Sequence, residues 1–160
     1  MDLRIGQGYD IHKLEKNGKR LIIGNCHIPF EKGLKAHSDG DVLIHAIIDA
    51  ILGAANLGDI GTLFPDNDPK YKDIDSGALL KETLGILRDN SFEIVNLDST
   101  IICERPKMKE YIPEIKEKLS SLIGIEVEKI SIKAKTKEKL DSVGREKAIE
   151  VFSVCLIKKI

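Results

Sequence analysis

Two carboxylates and an imidazole at four-residue spacing, Asp41, His45 and Asp49, run through a segment otherwise built of Val42, Leu43, Ile44, Ala46, Ile47 and Ile48. On a helix these three side chains stack along one face. Polar groups held in such an apolar setting need partners, and a metal ion is the partner this stripe predicts. Near the start of the chain Asp10 and His12 stand two residues apart. In an extended strand both project from one face, roughly 6–7 Å apart along the backbone. Alone, that pair also fits a solvated strand end. Taken with His45 it makes three N/O donors with a fourth position free, the pattern of a catalytic zinc centre.

Other groups suited to phosphate chemistry lie close by in sequence. Ser38, with Asp41 three residues later, has the form of an N-cap and N3 acid, and predicts a helix from about Asp39. The N–H groups of its first turn, beside His37 and Ser38, would suit a phosphate; a plain cap and a surface histidine account for the same residues. Thr136 and Glu138 follow a strand and add a hydroxyl and an oxygen ligand for a harder cation. Asp59 to Pro69 reads as a loop. Turn chemistry alone explains Asp66 and Asp68, but its length and its acids also fit ligand binding.

The elements that must position these groups are legible from pattern. Leu3 to His12 alternates as a strand. Asn17-Gly18 predicts a hairpin turn, and Leu21–Ile23 and His27–Pro29 predict short strands around Gly24-Asn25. Asp75 or Ser76 caps a second helix, whose inner face is Leu79, Leu80, Thr83, Leu84 and Leu87. Phe92 to Cys103 reads as a strand with Val95, Leu97, Ser99 and Ile101 on one side. A third helix starts with Pro113 in its first turn and stops at Gly124. Ile130 to Ala134 and Ile149 to Ile157 are strands, the last apolar on both faces, which hints at oligomerisation. Strands interleaved with helices predict an α+β fold, a mixed sheet covered by helices on one face. The expectation is one domain over residues 1–160.

Composition excludes several classes. There are 25 Lys plus Arg against 26 Asp plus Glu, with 4% aromatics. That balance argues against a nucleic-acid binder working by bulk charge. His45 and Asp49 interrupt the longest apolar stretch, so no membrane span is expected, nor is a signal peptide. Cys26, Cys103 and Cys155 lack paired spacing and fit buried thiols in a cytoplasmic protein.

The segments Arg4–His12, Gly33–Asp41 through His45-Ala46, and Gly58–Gly61 through Phe64-Pro65-Asp66 resemble those of the 2-C-methyl-D-erythritol 2,4-cyclodiphosphate synthase family of non-mevalonate isoprenoid synthesis. The likeness spans nearly the whole chain in order. It implies a phosphorus–oxygen lyase, a homotrimer with packed sheets and active sites between subunits. Asp10, His12 and His45 match the zinc ligands, and Glu138 the ligand of a second divalent ion, magnesium or manganese. His37 and Thr136 match the transition-state stabilisers, and His37 and Ser38 match residues that touch the substrate's phosphate and methylerythritol portion. Asp59 and Gly61, with Ile60 between them, resemble ribose contacts. Phe64, Asp66 and Leu79 resemble the wall around the methylerythritol, with Pro65, Asn67 and Asp68 counted beside them. The run Cys103, Glu104, Arg105, Pro106, Lys107, Met108 and Lys109 resembles the cytosine pocket. Lys135, Lys137 and Arg145 complete the expected substrate contacts. Of the original stripe, the likeness carries over His45 alone as a zinc ligand; Asp41 falls in the first turn and Asp49 becomes a neighbour one turn beyond.

The implied reaction is intramolecular. The 2-phosphate of 4-diphosphocytidyl-methylerythritol 2-phosphate attacks the β-phosphorus of its own diphosphate and expels CMP. Such a step needs positioning and charge neutralisation, and a nucleophile that is already an anion needs no general base. A zinc phosphoesterase using water shares the metal ligands, but has no use for the 59–68 loop or for Pro106-Lys107. An inactive metal-stabilised trimer has no use for Thr136 and Glu138. The chain departs from the common family pattern at Asp141-Ser142, where many members have Gly-Phe. It departs again at Lys147, where an acid is usual two residues beyond Arg145. In the family this region lies near the trimer axis, so both changes bear on the cavity that the resemblance implies there.

Overall fold

The computed structural model describes residues 2–160. The first strand, β1 (Leu3–Glu15), is longer than expected. After it come β2 (Ile22–Ile23), β3 (Cys26–His27), β4 (Gly33–Lys35) and the helix α1 (Val42–Ala55). The chain continues through α2 (Ile60–Leu63), α3 (Ser76–Asp89), β5 (Phe92–Ile102), α4 (Ile112–Ile123), β6 (Ile130–Lys135), α5 (Asp141–Gly144) and β7 (Ala148–Lys159). Five strands form one sheet in the order β4-β1-β7-β5-β6, and β2 pairs with β3 in a small hairpin. All neighbours in the large sheet are antiparallel except β5 and β6. A parallel pair needs a crossover, and the α4 segment supplies it.

Helix α1 is the centre of the core. Twelve of its residues are buried, and it lies across β1 and β7. Helix α3 packs on α1, and α4 fills the space between α3 and β6. The α+β fold is therefore as expected, with the helices on one face of a mixed sheet.

Four details differ from the sequence reading. The Asn17-Gly18 turn does not pair its flanking strands: β1 pairs instead with β4 and β7, and Gly24-Asn25 closes the separate β2–β3 hairpin. The 59–69 loop contains the helix α2, capped by the Asp59 side chain on the Thr62 N–H. A β-bulge between Ile94 and Asn96 shifts the alternation, so Phe92 and Ile94, not Val95, share the inner face with Leu97, Ser99 and Ile101. One extra residue is enough to reverse which side faces the core. Finally, β7 is buried on both sides only at its start, where Ala148 and Glu150 are covered; from Phe152 onward only its helix-facing side is fully buried. On its other side Phe152 is 42% exposed, next to Ile5 at 72%, Tyr9 at 40% and Ile11 at 41% on β1. Among the described residues no helix is long and apolar enough to cross a membrane.

Candidate active site

Two glycines decide how close α1 comes to β1. Gly6, Gly8, Asp10 and His12 alternate onto the strand face that meets the helix. A Cβ on Gly6 would lie 1.9 Å from the Ala50 carbonyl oxygen, and one on Gly8 would lie 1.9 Å from that of Ala46. Without side chains there, the helix backbone rests directly on the strand. Ala46 is the neighbour of His45, so this close approach delivers the imidazole to Asp10 and His12.

The meeting point is a triangle of donor atoms. His12 Nε2 lies 2.9 Å from Asp10 Oδ2. His45 Nδ1 lies 3.1 Å from Asp10 Oδ2 and 3.1 Å from His12 Nε2. Two ring nitrogens and a carboxylate oxygen at these separations cannot all be joined well by protons. A cation can join them: bonds of about 2.0–2.1 Å in a tetrahedral zinc site imply ligand spacings of about 3.3 Å. The three residues could hold a metal ion. Burial alone would raise the Asp10 carboxyl, but hydrogen bonds and charge from His12 and His45 outweigh it and hold Asp10 well below the usual range. Burial opposes protonation of His45, and the Asp10 carboxylate reverses the balance, so its pKa rises. A carboxylate ionised throughout the neutral range is what a divalent cation requires.

The helix start corrects the expected cap. Asp41, not Ser38, is the N-cap of α1, and its Oδ1 accepts the Ile44 N–H at 3.1 Å. The same carboxylate accepts the N–H groups of Gly24 at 2.9 Å and Asn25 at 2.6 Å. Full burial pushes Asp41 up to about 6 against the pull of these donors. Because three N–H groups depend on it, Asp41→Ala is expected to cost about 2–4 kcal/mol. Asp41→Asn, which keeps one acceptor, should lose less. Denaturant unfolding of the metal-free proteins measures both. Ser38 lies before the helix, where its Oγ accepts the Gly40 N–H at 3.2 Å and sits 3.2 Å from His45 Nε2. Asp49, the last member of the stripe, accepts the Ile60 N–H at 2.7 Å and so tethers α2 to α1.

A cavity of about 160 Å³ opens beside the triangle. Of the expected site residues Asp10, His12, His37, Ser38, His45, Ile60, Gly61, Phe64, Asp66 and Leu79 line it, together with Ala36, Tyr71 and Ile74. His37 Nε2 is buried and has no hydrogen-bond partner. Buried polar atoms are rarely left this way unless a ligand or water completes them. Lys19 holds this wall in place. Its Nζ donates to the Ser38 carbonyl at 2.6 Å and the His37 carbonyl at 3.3 Å, and pairs with Asp73 at 2.5 Å. Asp59 caps α2 at the rim, and Pro65, Asn67 and Asp68 continue the same loop, with Asp68 capping the next turn.

The remaining expected residues gather elsewhere. Asp10 pairs with Val151, Val151 with Ile101, and Ile101 with Ala134. Three strand spacings, about 14 Å, therefore separate Asp10 from the strand that leads into Thr136. Around that far edge lie Cys103 to Lys109, Lys135, Thr136, Lys137 and Glu138. Thr136 Oγ1 donates to Glu138 at 3.0 Å. Glu104 accepts the backbone N–H of Lys137 at 3.1 Å and of Lys139 at 3.4 Å. Its carboxylate is thus engaged in holding this turn, where Glu138 and Lys139 both have positive φ. Lys137 pairs with the buried Glu150, which also accepts the Tyr9 hydroxyl at 3.1 Å. Arg105 pairs with Glu31 and Glu146, and Arg145 follows α5 as its C-cap. The thiol of Cys103 donates to the Arg105 carbonyl, and burial pushes it up to about 12. It is no nucleophile at neutral pH. Within one chain the two groups do not meet.

The family model described as the YgbB family matches residues 3–158. The chain belongs to that family. A 2-C-methyl-D-erythritol 2,4-cyclodiphosphate synthase of Brachyspira hyodysenteriae is 52% identical over 157 residues, covering 98% of this chain and 99% of the relative. The bifunctional IspDF of Campylobacter jejuni superposes with a TM-score of 0.95 at 38% identity, over 99% of this chain and 43% of that one. The chain thus spans less than half of that bifunctional protein. The IspF of Plasmodium falciparum, solved as a CDP complex, superposes at 0.86 with 37% identity, over 98% of this chain and 96% of that one. The enzyme assignment that the motifs implied is therefore met by relatives of equal length.

The residues that the sequence reading missed are the supports: Lys19, Asp39, Tyr71, Ile74 and Ser76. A lysine 18 positions before the histidine whose carbonyl it binds leaves no periodic trace in the sequence. Ser76 was visible as a helix start, but not as a neighbour of His45.

Proposed function

We propose that this chain converts 4-diphosphocytidyl-2-C-methyl-D-erythritol 2-phosphate to 2-C-methyl-D-erythritol 2,4-cyclodiphosphate and CMP, in non-mevalonate isoprenoid precursor synthesis. The observation that carries this reading is the Asp10, His12, His45 triangle at the edge of a cavity whose wall contains an unpartnered histidine nitrogen. Those three residues would hold zinc or a similar divalent transition metal, and Glu138 a second divalent ion, magnesium or manganese. Bound cations supply charge neutralisation at the phosphoryl oxygens. His37 Nε2 and the Ser38 hydroxyl face the cavity as hydrogen-bond donors for phosphate oxygens. An oxygen of the 2-phosphate forms a bond to the β-phosphorus as the bond from that phosphorus to the CMP oxygen breaks. CMP leaves with the electron pair. The side chains align two ends of one molecule, which replaces a collision by a unimolecular step. His37 positions and donates; with phosphate already anionic, no base is assigned.

The distance between the two residue groups supports a homotrimer in which Thr136, Glu138 and the 103–109 segment of one subunit complete the cavity of its neighbour. The apolar outer face formed by Ile5, Tyr9, Ile11 and Phe152 is the surface such an assembly would cover.

Incubation with the cytidyl substrate and magnesium, followed by phosphorus NMR, tests the reaction. CMP and the cyclic diphosphate are expected in equal amounts. Inorganic phosphate as the main product would establish the hydrolase reading instead.

A further inference from the structure

We infer that Asp39 and Ser76 are positioning residues that fix the protonation of His45, so that its Nδ1 lone pair faces Asp10 and His12. This inference rests on the metal reading above. Ser76 is fully buried at the first position of α3, with its Oγ 2.9 Å from His45 Nε2. The Asp39 carboxylate grips Ser76 twice, accepting its backbone N–H at 2.9 Å and its hydroxyl at 2.5 Å. A serine hydroxyl has one proton and two lone pairs. Once that proton is committed to Asp39, Ser76 Oγ can only accept from His45. A bare Nε2 at 2.9 Å would set lone pair against lone pair, so Nε2 carries the hydrogen.

The neutral imidazole has one ring proton, and placing it on Nε2 leaves Nδ1 as the basic nitrogen. Nδ1 is the atom that lies within 3.1 Å of both Asp10 Oδ2 and His12 Nε2. Ligating histidines are generally oriented by a partner on the second nitrogen; here a carboxylate acts through an intervening serine. Ser38 Oγ, 3.2 Å from Nε2, shares the same hydrogen and also accepts from Gly40. Its own proton stays free to point into the cavity. Asp39 is itself held, its N–H donating to the Ile74 carbonyl at 3.1 Å and its Oδ1 accepting from Asp41 N at 3.1 Å.

The test is zinc affinity of the full chain, measured by competition with a chromophoric chelator. Ser76→Ala is expected to weaken zinc binding about 10–100-fold, the usual effect of removing a ligand's outer partner. Asp39→Ala removes the acceptor and releases the hydroxyl proton toward Nε2, and should weaken binding in the same range. Ser76→Thr, which keeps the hydroxyl, should restore it. Unaltered zinc affinity in Ser76→Ala and Asp39→Ala, or failure of threonine to restore it, overturns the inference. A long-range proton–nitrogen NMR spectrum of the zinc-free unaltered protein tests the tautomer even where a variant misfolds. A proton on His45 Nε2 is expected, and its absence overturns the assignment. If the unaltered chain bound no zinc, the metal reading would fail first, and this inference with it.

Discussion

His45→Ala is expected to empty the metal centre and lower turnover by about 10³-fold or more, while the chain still folds. The size follows from the chemistry. Charge neutralisation by a bound metal stabilises a phosphoryl transition state by several kcal/mol, and each 1.36 kcal/mol is tenfold in rate. Two remaining ligands, Asp10 and His12, on one strand cannot replace a third from the facing helix. Folding should persist because the core around α1 is apolar on its other sides, from Leu43 and Ile44 through Ile47, Ile48 and Ile51. Truncating a buried side chain of this size costs about 1–3 kcal/mol. Metal analysis, steady-state rates and a melting curve of the metal-free protein separate these effects. Full zinc occupancy in the variant would remove His45 from the ligand set.

Gly8→Ala is expected to be strongly damaging although it adds a single methyl group. The added carbon would sit 1.9 Å from the Ala46 carbonyl oxygen and 2.7 Å from the Ala50 nitrogen. Both are backbone atoms of the central helix, so no side chain can turn away to make room. Either α1 lifts from the sheet or β1 bends. Overpacking typically costs 1–3 kcal/mol and occasionally more; with rigid backbone on both sides we expect about 3 kcal/mol or more. For a chain of this length that lowers the melting temperature by about 6–12 °C. Zinc binding should weaken as well, because lifting α1 carries His45 away from Asp10 and His12. A melting shift under about 2–4 °C, with unchanged metal affinity, would show that the close approach does not set the site.

These two predictions also mark what could be read before the structure. The stripe Asp41, His45, Asp49 was visible as a helical face, and the DxH pair as two side chains on one face of a strand. Spacing alone could not separate the stripe's members. They are separated by what stands opposite each: the Gly24 and Asn25 N–H groups for Asp41, β1 for His45, and the start of α2 for Asp49. Those partners come from distant parts of the chain, and local periodicity carries no trace of them. The expected start at Asp39 failed for a related reason. Ser38 and Asp41 both match a capping pattern, and the choice fell to Asp41 because the β2–β3 hairpin adds two more donors to its carboxylate. The bulge at Val95 likewise reversed an alternation that looked regular. Gly6 and Gly8 read as ordinary members of an alternating strand, yet their missing side chains determine how near the helix can come. The motifs held enough to recognise the chemistry; the distances that make it workable are tertiary.

One helix and one strand, pressed together through glycines, bring Asp10, His12 and His45 to where they could hold a metal ion. Zinc-edge X-ray absorption on the purified zinc-loaded protein tests it most directly. About one zinc per chain is expected, bound by nitrogen and oxygen only, with two imidazoles in the scattering pattern. Sulfur scattering from any of Cys26, Cys103 or Cys155, or a zinc with no imidazole ligands, would contradict it.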